Sequence, residues 1–139
     1  MPFLIRPLNL NTDLHTIHDL TSQLGYPTSI ENIQQRWQRI HKDPNYQTLV
    51  LTKNHGVIGY VGFIQEYTWE FDDGYFRIQA FVIDENYRGQ GLGQKLIQAI
   101  QDLATQRGLK RILVNSGNRP ARYPAHAFYK SLGFEDYSI

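Results

Sequence analysis

A run of three glycines, Arg88-Gly89-Gln90-Gly91-Leu92-Gly93, constrains this chain more than any other stretch. It follows the strand-like run 76–83 and opens a helical pattern carrying Leu92, Leu96, Ile100, Leu103 and Ala104. A strand that turns through glycines into a helix leaves the first N–H groups of that helix without intrahelical partners, and the helix dipole adds partial positive charge there. Such a junction is a cradle for an anion, and a pyrophosphate is its obvious guest. Lacking Cβ, glycine allows positive φ and lets a ligand approach the backbone closely. Arg88 sets a planar, permanent cation beside the cradle.

Spacing narrows the ligand. A Walker loop needs Gly-Lys-Ser/Thr after its last spacer, and here the third glycine precedes Gln94-Lys95-Leu96. A dinucleotide fingerprint needs Gly-x-Gly-x-x-Gly early in a βαβ unit; this loop reads Gly-x-Gly-x-Gly and lies late in the chain. Both nucleotide readings fail.

What remains resembles the Gcn5-related N-acetyltransferase (GNAT) family, whose pyrophosphate loop follows a hydrophobic strand with the pattern Arg/Gln-x-x-Gly-x-Gly/Ala. Arg88, Gly91 and Gly93 fill it, preceded by Asp84-Glu85-Asn86-Tyr87, which looks like the family's approach to the loop. Downstream, the segment from Ala125 through Phe128, Tyr129 and Leu132 to Gly133-Phe134 is similar to the family's second signature, a helix with a tyrosine that ends in Gly-Phe. The two motifs stand in the family's order, and the resemblance covers nearly the whole chain.

The remaining pattern agrees with one domain over residues 1–139. No repeat, low-complexity tract or linker interrupts it, and 41% hydrophobic with 19% charged residues describes a globular chain. A net charge of +1 gives no reason to expect nucleic acid as a partner. With no cysteine, disulfides, thiolate metal sites and a cysteine nucleophile are excluded. The N-terminus is too interrupted for a signal peptide and no apolar run approaches the ~20 residues of a membrane span, so a cytoplasmic protein without a membrane partner is the expectation.

Residues 3–8 read as a first strand. Asn11 or Thr12 can cap a helix with Leu14, Ile17 and Leu24 on one face, ended by Gly25. Thr28 with Glu31 suggests a capping box for a second helix, whose stripe Ile30, Ile33, Trp37 and Ile40 reads as buried. From Tyr46 the period becomes two, and Asn54-His55-Gly56 turns into a second hairpin strand, where Gly59 and Gly62 suggest bulges or a close backbone approach. Tyr75 to Ile83 completes an antiparallel meander. After the glycine loop and its helix, 111–114 is a short strand parallel to 76–83, and a last helix and strand follow. The order β-α-α-β-β-β-α-β-α-β matches the fold of the resembled family. That fold is an α/β (α+β) acyl-CoA N-acyltransferase architecture, a mixed and mostly antiparallel sheet with a splayed parallel strand pair and helices on both faces.

The resemblance implies acetyl-CoA as donor, with no metal. It implies pantetheine bonding to the backbone of Phe81, Val82 and Ile83, and pyrophosphate on Arg88, Gly89, Gln90, Gly91, Leu92 and Gly93. Tyr129 takes the place of the family's tyrosine, an acid for the leaving thiolate; at helical spacing it also reads as a core aromatic. Asn115 bonds coenzyme or backbone at the splay, or is a plain loop residue. Arg119 and Arg122 grip the 3′-phosphate or are surface charges. Many family members carry a carboxylate on the strand before the loop, and this chain departs there with Arg77-Ile78-Gln79-Ala80. Glu66 is the nearest choice for a catalytic base, and water serves without one. His15 and His18 lie three apart on a helix without a third metal ligand in the pattern.

The resemblance implies a primary amine of a small molecule or peptide as the acceptor. The aromatic residues Tyr26, Trp37, Tyr46, Tyr67, Trp69, Phe71 and Tyr75, with scattered acids, suit a small cationic or amphipathic amine. The expected activity is N-acetyl transfer by direct attack in a ternary complex. The alternative is a non-catalytic acetyl-CoA-binding regulatory module. The chain stops five residues past Phe134, so either the last strand is missing or a second protomer covers the edge, which makes a homodimer one expectation.

Overall fold

The computed structural model describes residues 3–70 and 72–114. Five strands form one sheet in the order β1-β2-β3-β4-β5. They are β1 (Phe3–Pro7), β2 (Tyr46–Lys53), β3 (Gly56–Glu66), β4 (Tyr75–Ile83) and β5 (Ile112–Val114). The first four pair antiparallel and β5 joins β4 in parallel. Helices α1 (Leu10–Leu24) and α2 (Ile30–Ile40) precede β2, and α3 (Leu92–Gln106) connects β4 to β5. The β4–α3–β5 crossover and the antiparallel meander are those expected from the sequence.

Both early helices start elsewhere than the sequence suggested. Asn9, rather than Asn11 or Thr12, caps α1 by accepting from the Asn11 N–H. Ser29 caps α2 by accepting from the Asn32 N–H at 3.1 Å, while Thr28 Oγ1 receives the Asn32 side-chain amide instead of building a box with Glu31. The hairpin turn is as read: Asn54 and His55 both have positive φ, 51° and 75°, between the closing pair Lys53 and Gly56. A two-residue loop of this hand matches the right-handed twist of its strands.

Each face of the sheet has its own core. Leu92, Leu96, Ile97 and Ile100 of α3 pack on Phe63, Phe76, Ile78 and Phe81. On the other face, Ile17 and Leu20 of α1 and Ile33 of α2 pack on Val50, Tyr60 and Val82.

The alternation along β4 breaks once, and the break positions the site. Gly62 pairs with Ala80 but Phe63 pairs with Ile78, which leaves Gln79 as the extra residue of a bulge. Because side chains alternate faces, one extra residue exchanges the two faces beyond it. Phe76 and Ile78 therefore share the α3 core with Phe81 and Ile83, while Ala80 and Val82 turn to the α1 and α2 side.

Candidate acetyl-transfer site

The glycine loop holds the geometry an anion needs. A 3₁₀ turn, Glu85–Tyr87, follows β4; Asp84 caps it, and its first N–H is held by Gln23 Oε1 of α1 at 2.8 Å. Gly89 and Gly91 then take φ of +80° and +73°. Gly91 is the N-cap of α3, and a glycine offers no side chain to the first-turn N–H groups. That turn carries no acidic residue either, so no carboxylate of its own compensates the positive end of the dipole. A Cβ on either glycine would meet nothing within 4 Å, so their backbone lies open on the outside of the loop. Arg88 Nε donates to the Ile83 carbonyl at 3.0 Å, which fixes the guanidinium at the base of the loop. Leu92 and Gly93 are buried beneath, while Arg88, Gly89, Gln90 and Gly91 are exposed. The residues present fit a pyrophosphate.

Beyond the bulge, Phe81, Val82 and Ile83 are buried and run directly into this loop. The described ladder between β4 and β5 runs from Phe76 with Ile112 to Ile78 with Val114. Asn115, Arg119, Arg122 and Tyr129 lie outside the described residues, as do the expected splay and the expected last helix and strand.

At the other end of the same strand segment a cavity of about 490 Å³ opens between α1, α2 and the sheet. Its walls include Ile17 and Leu24 of α1, Ile33 and Trp37 of α2, and Tyr46 and Tyr60 of the sheet. Here the second helix corrects its sequence reading. Of the stripe Ile30, Ile33, Trp37 and Ile40 only Ile33 is buried and joins the core; Trp37 and Ile40, half-buried, wall the cavity beside it. A periodic apolar face says which side turns inward; it does not say that the space beneath is filled.

Among the described lining residues, the polar side-chain groups are hydroxyls, the Gln79 amide and the Trp37 indole N–H, joined by a single cation, Arg36. Thr21 Oγ1 donates to the Ile17 carbonyl at 2.7 Å and stands 2.7 Å from the Tyr60 hydroxyl. With the threonine proton so engaged, Tyr60 donates to Thr21 and keeps its lone pairs for a ligand. Burial pushes the Tyr60 phenol up from its ordinary range, against the bond to Thr21 and the charge of Arg36, which pull it down. Burial likewise pushes Tyr46 up to about 12, reinforced by Tyr60. Both stay protonated at neutral pH. Gln79 reaches the cavity through the β4 bulge, and Arg36 reaches it from α2.

Tyr26, Trp37 and Tyr46 are thus the members of the aromatic set that line the cavity. Tyr67 and Trp69 are exposed, Tyr75 is buried in β4, and Phe71 lies outside the described residues. Glu66 is not among the lining residues: its Oε1 accepts from Arg77 Nε at 2.6 Å, and Arg77 also donates to the Tyr75 hydroxyl. His18 bridges Asp19 and the Thr28 carbonyl. Among the described residues no group of three or more His, Asp or Glu could hold a metal, and no helix is long and apolar enough to cross a membrane.

Sequence reasoning missed Gln79, Arg36 and the Thr21–Tyr60 pair as residues that line the cavity. A signal for Gln79 existed, since Ile78 and Phe81 break the two-residue period of their strand. Arg36 stands between Ile33 and Trp37 at the exposed edge of α2, a cation beside the apolar stripe.

The profile of the acetyltransferase (GNAT) family matches residues 12–134. The chain belongs to this family. This GNAT protein is accordingly an acyltransferase, and its described fold agrees with solved members. It is similar over 100% of its length to 96% of a GNAT family acetyltransferase from Staphylococcus aureus subsp. aureus USA300_TCH1516, with 28% identity and a TM-score of 0.80. A transcriptional regulator from Bacillus halodurans C-125 shares the fold at 20% identity and a TM-score of 0.80, over 96% of this chain and 93% of that one. The aminoglycoside N-acetyltransferase AAC(6')-Iy, solved in complex with CoA, shares it at 18% identity and a TM-score of 0.79, over 99% of this chain and 90% of that one. No curated protein sequence matches this acetyltransferase significantly.

Proposed function

We propose that this GNAT protein transfers acetyl from acetyl-CoA to a primary amine by direct attack in a ternary complex. One observation carries the reading: the anion cradle and the cavity stand at the two ends of a single strand segment, Gln79–Ile83. Ala80 and Ile83 are three residues apart, about 10 Å at ~3.3 Å per residue, a span that pantetheine can bridge. Pyrophosphate on Arg88, Gly89, Gln90, Gly91, Leu92 and Gly93, with pantetheine along Phe81, Val82 and Ile83, would bring the thioester to the cavity mouth.

The acceptor nitrogen, once neutral, forms the new C–N bond as the C–S bond breaks. The departing thiolate takes a proton, for which Tyr129 is the proposed donor, and the proton lost from the amine leaves through water. Apolar walls disfavour an ammonium ion, so the cavity itself lowers the amine's pKa toward the reactive form. Glu66 could act as base only if Arg77 released it. Asn115 is proposed to bond the coenzyme where β4 and β5 part.

Calorimetric titration with acetyl-CoA, beside ATP and NAD, tests the cradle, and thiol release with an amine panel tests the transfer. Selective binding of acetyl-CoA with amine-dependent thiol release is expected. Loss of selectivity over the nucleotides would remove the assignment of the glycine loop. Tyr129→Phe is expected to lower turnover strongly with coenzyme binding retained, which a regulatory module without turnover would not reproduce.

A further inference from the structure

We propose that the acceptor is a primary amine built on an apolar or aromatic body and carrying one anionic group, and that Arg36 is the residue that recognises this anion. The inference rests on the transfer reading above and names the substrate class of that site. Its ground is the charge pattern of the cavity. Among the described residues that line it there is no carboxylate, and the one charged side chain is Arg36.

Three observations give Arg36 this role. It lines the cavity from the exposed edge of α2, one position before Trp37 and three after Ile33, both of which wall the cavity. Its charge is felt at the Tyr60 hydroxyl across the cavity. No carboxylate pairs with it among the described residues, although Arg6 and Arg77 each have one. An arginine presents a planar fork that matches a carboxylate or a phosphate with two parallel N–H bonds. Exposed at the rim of the cavity and without a carboxylate partner among the described residues, it is open to a ligand that brings a negative charge.

The same pattern argues against a polycation. A ligand with several ammonium groups needs carboxylates to replace its hydration and would meet Arg36 as a like charge. The cavity, about 490 Å³ and open on one side, has room for a compact body. The polar edge of that body finds Tyr60, whose oxygen accepts, together with Tyr46 and Gln79.

The test compares matched acceptors on the full chain at saturating acetyl-CoA: phenylalanine, phenethylamine (the same body without the carboxylate), glucosamine 6-phosphate (an anion without the apolar body) and kanamycin (a polycation). Phenylalanine is expected to exceed phenethylamine and kanamycin in kcat/KM by tenfold or more, and to exceed glucosamine 6-phosphate. Arg36→Gln should bring the ratio of phenylalanine to phenethylamine toward one, and Arg36→Glu should invert it, chiefly through KM. Calorimetric binding of N-acetylphenylalanine against N-acetylphenethylamine gives the same comparison without turnover. Preference for kanamycin or phenethylamine, or a ratio that Arg36→Gln leaves unchanged, would overturn the proposal while the transferase reading stands. A lead for glucosamine 6-phosphate would keep the anion and reject the apolar body, and so overturn the substrate class as stated. A chain without selective binding of acetyl-CoA would overturn the transfer reading itself.

Discussion

A Cβ placed on Gly62 would stand 2.7 Å from the Tyr46 hydroxyl. The tyrosine of β2 therefore lies over a gap in β3 that only glycine leaves open, and both residues line the cavity. Gly62 also pairs with Ala80, the first residue past the β4 bulge, so one position sets the tyrosine and adjoins the bulge. Gly62→Ala would press against the tip of a side chain rather than against backbone, and Tyr46 can swing aside. The expected cost in stability is about 1 kcal/mol. The acceptor KM should rise several-fold while acetyl-CoA affinity is kept, as steady-state kinetics and calorimetry would read. Equal losses in both would mean that the bulge, rather than Tyr46, had moved.

Gly91→Ala separates backbone strain from ligand approach. The position has φ +73°, and its Cβ would have open space around it. In the free protein only the left-handed conformation opposes the substitution, at about 1–2 kcal/mol. If pyrophosphate approaches this backbone, acetyl-CoA affinity should fall tenfold or more, beyond what the loss in denaturant midpoint explains. Unchanged affinity would place the coenzyme elsewhere.

Asp13 ties α1 to β1. It is 3% exposed, accepts from both Arg6 nitrogens at 2.8 and 2.9 Å, and receives the Asn9 N–H at 2.9 Å. Burial pushes its carboxyl up, but the bonds from Arg6, Asn9 and Thr12 and the charge of Arg6 outweigh burial, so the group sits below its ordinary range. A depressed folded-state pKa gives stability that is complete above the unfolded value of about 3.9 and is lost as pH falls through the folded value. Asp13→Asn is expected to cost about 2 kcal/mol at neutral pH, the scale of hydrogen bonds to a charged group. Urea midpoints of the two proteins should converge as pH drops below ~4. A gap that persists in acid would assign the loss to packing.

Glu66→Gln tests whether the ion pair with Arg77 is structural. The pair is partly exposed, with side chains 28% and 36% accessible, and screening by solvent keeps its worth under ~1 kcal/mol. Turnover is expected to change less than threefold, with a pH–rate profile that keeps its shape. A large fall in kcat with the acidic limb removed would instead make Glu66 the base and Arg77 its modulator.

The glycine loop, the helix after it, the hairpin turn at Asn54-His55 and the strand order were legible because each rests on local chemistry. Positive φ selects glycine and asparagine, the 3.6-residue period writes α3, and the crossover length requires a parallel neighbour. Helix starts were less legible. Asn9, Asn11 and Thr12 are all competent caps, as are Thr28 and Ser29, and the choice within such a cluster depends on where neighbouring elements dock.

What the sequence by itself determined is the cradle, for which a strand, three glycines and a helix suffice, and the family, for which the downstream segment from Ala125 to Phe134 was also needed. The cavity between α1, α2 and the sheet was decided by tertiary structure alone. The stripe of α2 is the same whether it meets a sheet or borders a void, and its distance from the sheet is set by Thr21, Tyr60, Tyr46 and Gly62, contributed by three other elements. Gln79 enters the cavity only because the pairing of β3 with β4 slips by one residue. Periodicity reports which side of an element turns inward, whereas a cavity is a difference between surfaces far apart in the chain, and so it emerges only when they are packed.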